Sequence, residues 1–274
     1  MTGETAGRIL DHIRQTHGGM PVRLTWFGGE PLLRPDIIDQ ISIGLRREMI
    51  FYHSECITNA SLVTPQTVEK MRTLWPTRKV QIAMDGGRED YIRRKRYIRE
   101  ENQYQTVMQA AESIAAAGIR VVIRCNVDRD NLASVPDFLQ DLRQAVRHRG
   151  NVSVYCNPLF DFARKDPQNN LELWQRILET DDLILRAGFS VLDHEVSPAW
   201  HCMADQGDVL IAPDGTLFSC DSMPDNARLG DENGGGGRVS FARTLSDLRA
   251  ANAPICRNAR PSPAARSKTS PAGR

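Results

Sequence analysis

The sequence lacks an excess of either charge. Lys plus Arg number 35 and Asp plus Glu 34 in 274 residues, a net charge of +1. That balance gives no global field for gripping nucleic acid or an anionic membrane. A long apolar run is also missing: hydrophobic residues make up 41% of the chain, but no window approaches the roughly 20 apolar residues of a membrane span. The start, Met1-Thr2-Gly3-Glu4, is polar and does not read as a secretory signal. These absences lead to the expectation of a soluble, cytoplasmic chain with no nucleic-acid and no membrane partner. No internal repeat is visible. The last 18 residues, 257–274, contain no Leu, Ile, Val or aromatic side chain. They are expected to be a disordered tail, because they cannot bury a core.

What is present is alternation. Helical periodicity is expected over 4–16, 35–47, 64–74, 104–117, 135–146 and 171–185. Strand-like runs separate these segments, at 22–27, 50–57, 79–84, 119–125 and 151–156. Thr64-Pro65 is a good helix start, with a capping hydroxyl followed by Pro at the first helical position. Strands alternating with helices of 10–15 residues indicate βαβ units and a parallel sheet. A partial β/α barrel and an open doubly wound sheet both fit. Past residue 195 the character changes. Residues 209–212 and 216–219 flank Pro213-Asp214-Gly215, a hairpin turn signal, and Leu245 and Leu248 suggest a short helix before Cys256.

Six cysteines fall into two groups. Cys56, Cys125 and Cys156 sit inside strand-like runs, where a cysteine is usually a small core residue. Cys202, Cys220 and Cys256 lie among Gly, Pro and Asp, where ligand duty becomes plausible. The strongest local signal is Trp26-Phe27-Gly28-Gly29-Glu30-Pro31-Leu32-Leu33, at the C-terminal end of an expected strand. Ligands bind at that end of β/α sheets. Two glycines let the backbone approach a ligand closely, and the Glu30 carboxylate can accept charge-assisted bonds from an ammonium group. The plainer alternative is an ordinary strand-to-helix turn with a surface Glu.

The whole string resembles the Gly-Gly-Glu motif of radical S-adenosylmethionine enzymes, in the form found in their SPASM-containing branch. Thr58-Asn59-Ala60-Ser61-Leu62 is similar to that branch's T-N-G-x-L, and Gln81-Ile82-Ala83-Met84-Asp85-Gly86 to its Q-I-S-L-D-G. Ile123-Arg124-Cys125-Asn126-Val127-Asp128, followed by Asn131, is similar to its I-R-x-N-V-D…N. The resemblance implies a partial (β/α) barrel of radical SAM type over residues 1–195. It further implies a small SPASM-like iron–sulfur region over 196–256, with the tail over 257–274. Gly28, Gly29 and Glu30 would hold the methionine amino group of S-adenosylmethionine, with Asn59 and Asp85 lining the cofactor or substrate side. Arg124 and Asn126 would reach the methionine carboxylate or the substrate. Ala83 stands where the family often has Ser, so one contact to the ribose is expected to be missing. The basic run Arg93-Arg94-Lys95-Arg96 falls where the family places a basic residue, although each member by itself reads as solvated surface.

Cys202, twelve residues, Gly215, four residues and Cys220 match the opening of a SPASM domain. Cys202, Cys220 and Cys256 are therefore candidate ligands of an auxiliary iron–sulfur cluster. Zinc and unligated thiols are the alternatives. Asp221 stands where sulfatase-maturating members have an Asp proposed to accept a substrate proton, and is the candidate catalytic base. Its plainer reading is a turn Asp.

Two departures qualify the resemblance. No Cys-x3-Cys-x2-Cys occurs in the sequence, and the positions where the SPASM pattern would continue after Cys256 hold Ala259, Ala265 and Thr269. The chain thus reads as lacking the first barrel strand with its cluster loop, and as having a disrupted C-terminus. The lineage implied is an oxidoreductase that modifies a peptide or protein side chain by hydrogen-atom abstraction. Its electron donor would be of ferredoxin or flavodoxin type. As written, the chain is expected to be inactive. The alternative is a non-catalytic module that binds peptide or S-adenosylmethionine and partners an intact enzyme.

Overall fold

The computed structural model describes residues 1–95, 103–159, 167–192, 209–218 and 228–231. The chain divides into two compact units, His17–Asp193 and, together, Met1–Thr16 with His194–Arg274.

The first unit holds six strands: β1 (Val22–Trp26), β2 (Tyr52–Thr58), β3 (Thr77–Met84), β4 (Arg120–Val127), β5 (Val152–Pro158) and β6 (Ser190–Val191). Their spatial order equals their chain order, and every neighbouring pair is parallel. A doubly wound sheet reverses direction at a switch point. Stepwise parallel order is instead the winding of a β/α barrel. The fork left open by the sequence therefore closes on a barrel-type parallel sheet.

Strand alternation gives this sheet two unlike faces. Val80, Ile82 and Met84 on β3 share one face with Val121, Ile123 and Cys125 on β4 and with Val152, Val154 and Cys156 on β5. All nine are essentially buried. They form one core with side chains from the crossover helices: Ile38 of α2 (Pro35–Arg47), Val68 and Met71 of α3 (Pro65–Thr73), Ile114 of α5 (Tyr104–Ala116) and Phe138 of α6 (Val135–Ala145). Full burial of such a side chain contributes roughly 1.5–3 kcal/mol. The opposite face carries Glu55, Lys79, Gln81, Arg124, Asn126, Tyr155 and Asn157 and stays partly accessible.

Local chemistry sets the element ends. Thr64 accepts a bond from the Thr67 amide at 3.1 Å, and Pro65 opens α3, as expected of that dipeptide. One helix was not expected: α4 (Arg88–Lys95). Only Tyr91 of its eight residues is buried, so it has no apolar period to read. The last crossover is α7 (Pro167–Arg186).

In the second unit, α1 (Gly3–Thr16) is capped by Thr2, whose hydroxyl accepts from the Thr5 amide at 3.1 Å, and it buries Ala6, Ile9 and Ile13. The expected hairpin is present as β7 (Leu210–Ile211) and β8 (Thr216–Phe218), joined antiparallel. Gly215 takes φ +91°, and Asp214 Oδ1 accepts from the Thr216 amide at 2.9 Å. An unexpected third strand, β9 (Arg228–Asp231), pairs antiparallel with β8. The expected short helix before Cys256 and the tail 257–274 lie outside the described residues. Among the described residues, no helix is long and apolar enough to cross a membrane.

Candidate cofactor-binding edge

The candidate residues collect at the C-terminal ends of β1 to β4. After β1 the chain passes through Gly28, at φ +134°, and Gly29. A Cβ built at either glycine meets no described atom within 4 Å. The backbone here is bare and open to a ligand. Glu30 caps the 3₁₀ turn Pro31–Leu33, with its Oε1 accepting from the Leu32 amide at 3.0 Å. The same oxygen accepts from Thr58 Oγ1 at 2.7 Å, and Oε2 accepts from the Asn59 amide at 2.8 Å. Glu30 is thus a clamp between the ends of β1 and β2, with most of its acceptor capacity already used. Asn59 turns inward on its own loop, its Oδ1 accepting from the Ser61 amide at 2.9 Å and the Ser61 hydroxyl at 2.6 Å. The turn places Ala60 at φ +60°, where the resembling motif has glycine.

A second knot ties β3 to β4. Asp85, 8% exposed, accepts from Asn126 Nδ2 at 2.9 Å and faces Lys95 Nζ at 3.2 Å. Asn131 is fully buried. Its Nδ2 donates to the Asp85 and Asn126 carbonyls, both at 2.9 Å, and its Oδ1 accepts from the Asp128 amide at 2.8 Å. Arg94 Nη2 donates to Asp128 Oδ1 at 2.7 Å, and Ser134 Oγ donates to Asp90 Oδ2 at 2.6 Å. Burial pushes the Asp128 carboxyl up. The Arg94 guanidinium and two backbone amides outweigh it and hold the group below its ordinary value.

Arg94 and Lys95 therefore correct the reading of the basic run as solvated surface. Their side chains are 18% and 20% exposed, and each meets a carboxylate. Helix α4 turns both toward the sheet edge, which the sequence could not reveal without an apolar period. Arg93, 61% exposed, does lie at the surface. The roles of Thr58 and Asn131 were also missed, though both lie inside motif strings that could have flagged them.

Arg124 projects from the open face of β4, in register with Ala83 on β3 and Tyr155 on β5. Its Nε is buried without a hydrogen-bond partner.

The edge brings together Gly28, Gly29, Glu30, Asn59, Asp85 and Asn126, with Arg124 two residues before Asn126 on the open face. Cys202, Cys220, Cys256 and Asp221 lie outside the described residues. Cys56, Cys125 and Cys156 sit on the helix-facing side of the strands, as core residues. Burial pushes the Cys56 thiol well up. Cys125, bonded to Cys156 and fully enclosed, is likewise held as a thiol. All three are enclosed in the apolar core, and no group of three metal-ligating side chains occurs among the described residues, so these three do not fit a cluster. The bare glycine segment, in contrast, fits the close approach of S-adenosylmethionine.

The radical SAM superfamily model matches residues 1–142, just over half of the 274-residue chain. The chain belongs to the radical SAM superfamily. No curated protein matches it. Among solved structures, anSMEcpe with bound AdoMet aligns at TM-score 0.64 and 14% identity, covering 89% of this chain and 71% of that one. SuiB from Streptococcus suis bound to S-adenosylmethionine aligns at TM-score 0.54 and 16% identity, covering 90% of this chain and 58% of that one. SuiB bound to its precursor peptide SuiA aligns at TM-score 0.52 and 15% identity, with 90% and 57% covered. At these identities the likeness establishes the radical SAM barrel-type fold.

Proposed function

We propose that this chain is of radical SAM/SPASM lineage, binding S-adenosylmethionine across the C-terminal ends of β1 to β4 and serving a peptide or protein substrate. The observation that carries this reading is the bare Gly28–Gly29 segment, held open beside the Glu30–Thr58–Asn59 clamp. The backbone carbonyls of Gly28 and Gly29 would accept from the methionine ammonium. Glu30 would contribute its charge from a fixed position, since three donors already orient it. Asn59, Asp85 and Asn126 would line the remaining edge. When a reduced cluster cleaves it, S-adenosylmethionine supplies the oxidant for hydrogen-atom abstraction from an unactivated carbon. A peptide substrate is supported by relatives of the same fold whose structures hold peptides, anSMEcpe with Kp18Cys peptide and SuiB with SuiA.

The same reading keeps residues 1–195 as the barrel and 196–256 as a SPASM-like region. There Cys202, Cys220 and Cys256 would serve an auxiliary cluster and Asp221 would act as a base. A ferredoxin- or flavodoxin-type protein would exchange electrons with it. The 274 residues contain no Cys-x3-Cys-x2-Cys, and the described cysteines are core thiols. No cleavage step is therefore assigned to this chain's own residues. The second reading is a non-catalytic module that binds peptide or S-adenosylmethionine and works beside an intact enzyme.

Anaerobic reconstitution with iron and sulfide, followed by S-adenosylmethionine binding and 5′-deoxyadenosine assays, tests both. The expected result is saturable binding without 5′-deoxyadenosine. Release of 5′-deoxyadenosine would show a catalytic cluster on an unrecognised ligand set. Absence of binding would remove the cofactor reading.

A further inference from the structure

The outer wall of the barrel carries a feature that the cofactor edge does not use. Helix α6 leads from β4 to β5 and α7 from β5 to β6, both between parallel strands, so each runs back against the sheet. Their last turns therefore lie where β5 and β6 begin, at the opposite end from Gly28. Between the two helices runs an open groove of about 560 Å³. Leu139 of α6 is buried, and Leu183 of α7 and Ala187 just past its end pack partly buried against the core. These three make an apolar floor. Arg143, Arg149 and Arg186 supply a basic rim, and no carboxylate stands among the described residues that line the groove.

Charge decides what such a groove takes. Arg143 and Arg186 are exposed in the last turns of their helices. Arg149 Nη1 donates to the Arg143 carbonyl at 3.3 Å, and its Nε passes 3.6 Å from a Cβ built at Gly188. None of the three has an ion pair among the described residues. The carboxylates Asp141 and Asp182 of the same helices do not line the groove, and Asp141 accepts from the Tyr104 hydroxyl at 3.1 Å. A helix C-terminus attracts a cation, but two such ends bring only about half a negative charge each. Three guanidiniums exceed that by about two charges, so the groove favours an anion. A bare phosphate would meet the arginines and leave the apolar floor in water. A helix laid between α6 and α7 uses both, with aliphatic side chains on the floor and carboxylates against the guanidiniums. Arginine is also the cation enriched at protein interfaces.

We propose that the α6–α7 groove docks an acidic amphipathic helix of a partner protein, with aliphatic residues on Leu139 and Leu183 and carboxylates on Arg143, Arg149 and Arg186. The site lies at the far end of the sheet from Gly28 and Gly29 and is independent of what those glycines bind. Its task is recognition, and no chemistry takes place in it.

The test titrates the full chain into a fluorescein-labelled, blocked peptide built from the repeat Leu-Glu-Glu-Leu-Leu-Glu-Glu and reads fluorescence anisotropy at low salt. Two counterpart peptides carry Gln for every Glu, or Ser for every Leu. The parent peptide is expected to bind saturably, and each counterpart at least about tenfold more weakly. The double variant Arg143→Gln with Arg186→Gln removes two exposed cations. It should weaken binding about fivefold or more, with an unchanged thermal midpoint. A control double variant, Arg47→Gln with Arg78→Gln, loses the same charge from exposed positions outside the groove lining. It should bind the peptide as the native chain does. Equal weakening by the control would reduce the effect to general charge attraction and overturn the proposal. Equal binding of the Ser counterpart would also overturn it, because the floor would then play no part and the groove would be a simple anion site. Absence of saturable binding by the parent peptide would overturn it outright.

Discussion

Glu30 accepts three hydrogen bonds, from the Leu32 amide, the Thr58 hydroxyl and the Asn59 amide. Its first task is therefore to hold the ends of β1 and β2 together. Glu30→Gln keeps one acceptor oxygen but turns an NH2 group toward a donor. It should lose about 1–3 kcal/mol of stability, the penalty for a broken charged bond with an unpaired amide. Urea denaturation measures this, and an unchanged midpoint would remove the clamp from the account. Asn131 is the corresponding residue between β3 and β4, with two donor bonds and one acceptor bond inside the protein. Asn131→Ala leaves three backbone groups without this partner. A loss of at least about 2 kcal/mol is expected, again read from the urea midpoint.

At the scale of elements, the start of α4 is fixed by close approach to the segment before α6. Gly86 adopts φ +94°, and a Cβ there would stand 2.6 Å from Ser134 Oγ. Gly86→Ala should cost about 1–3 kcal/mol from backbone strain alone, and should lower hydrogen-exchange protection in α4 before the rest of the sheet. Uniform loss of protection would show that α4 is not separately anchored. The strands and amphipathic helices were legible in the sequence because their apolar periods face a single core. Helix α4 was not legible, because its contacts are ionic: Arg94 to Asp128 and Lys95 to Asp85. The Gly-Gly-Glu, Thr-Asn and Asp-Gly strings lie together at the C-terminal ends of β1 to β3. They did not reveal that Glu30 and Asp85 are already bonded within the protein, since cross-strand partners depend on register. The core placement of Cys56, Cys125 and Cys156 was readable from their strand-like surroundings.

At the scale of the whole molecule, titration shapes the pH profile of stability. Burial lowers the His12 imidazole below its ordinary 6.5, and burial with Arg78 nearby does the same to His53. The unfolded chain then takes up protons first as pH falls. Stability is full above about pH 6.5 and is lost as pH falls through the folded-state values. The depressed Asp128 carboxyl acts in the same direction at lower pH, below its ordinary 3.8. The urea midpoint should therefore fall between pH 7.5 and 5.5, and less steeply in His12→Gln; a flat profile would contradict this. The central claim is that bare backbone after β1 receives S-adenosylmethionine. Equilibrium dialysis with labelled S-adenosylmethionine, comparing the native chain with Gly29→Val, tests it most directly. The added side chain meets no described atom within 4 Å of its Cβ, so thermal stability should be unchanged while binding falls at least about tenfold through steric exclusion. Undiminished binding by a folded Gly29→Val chain would place the cofactor elsewhere and contradict the account.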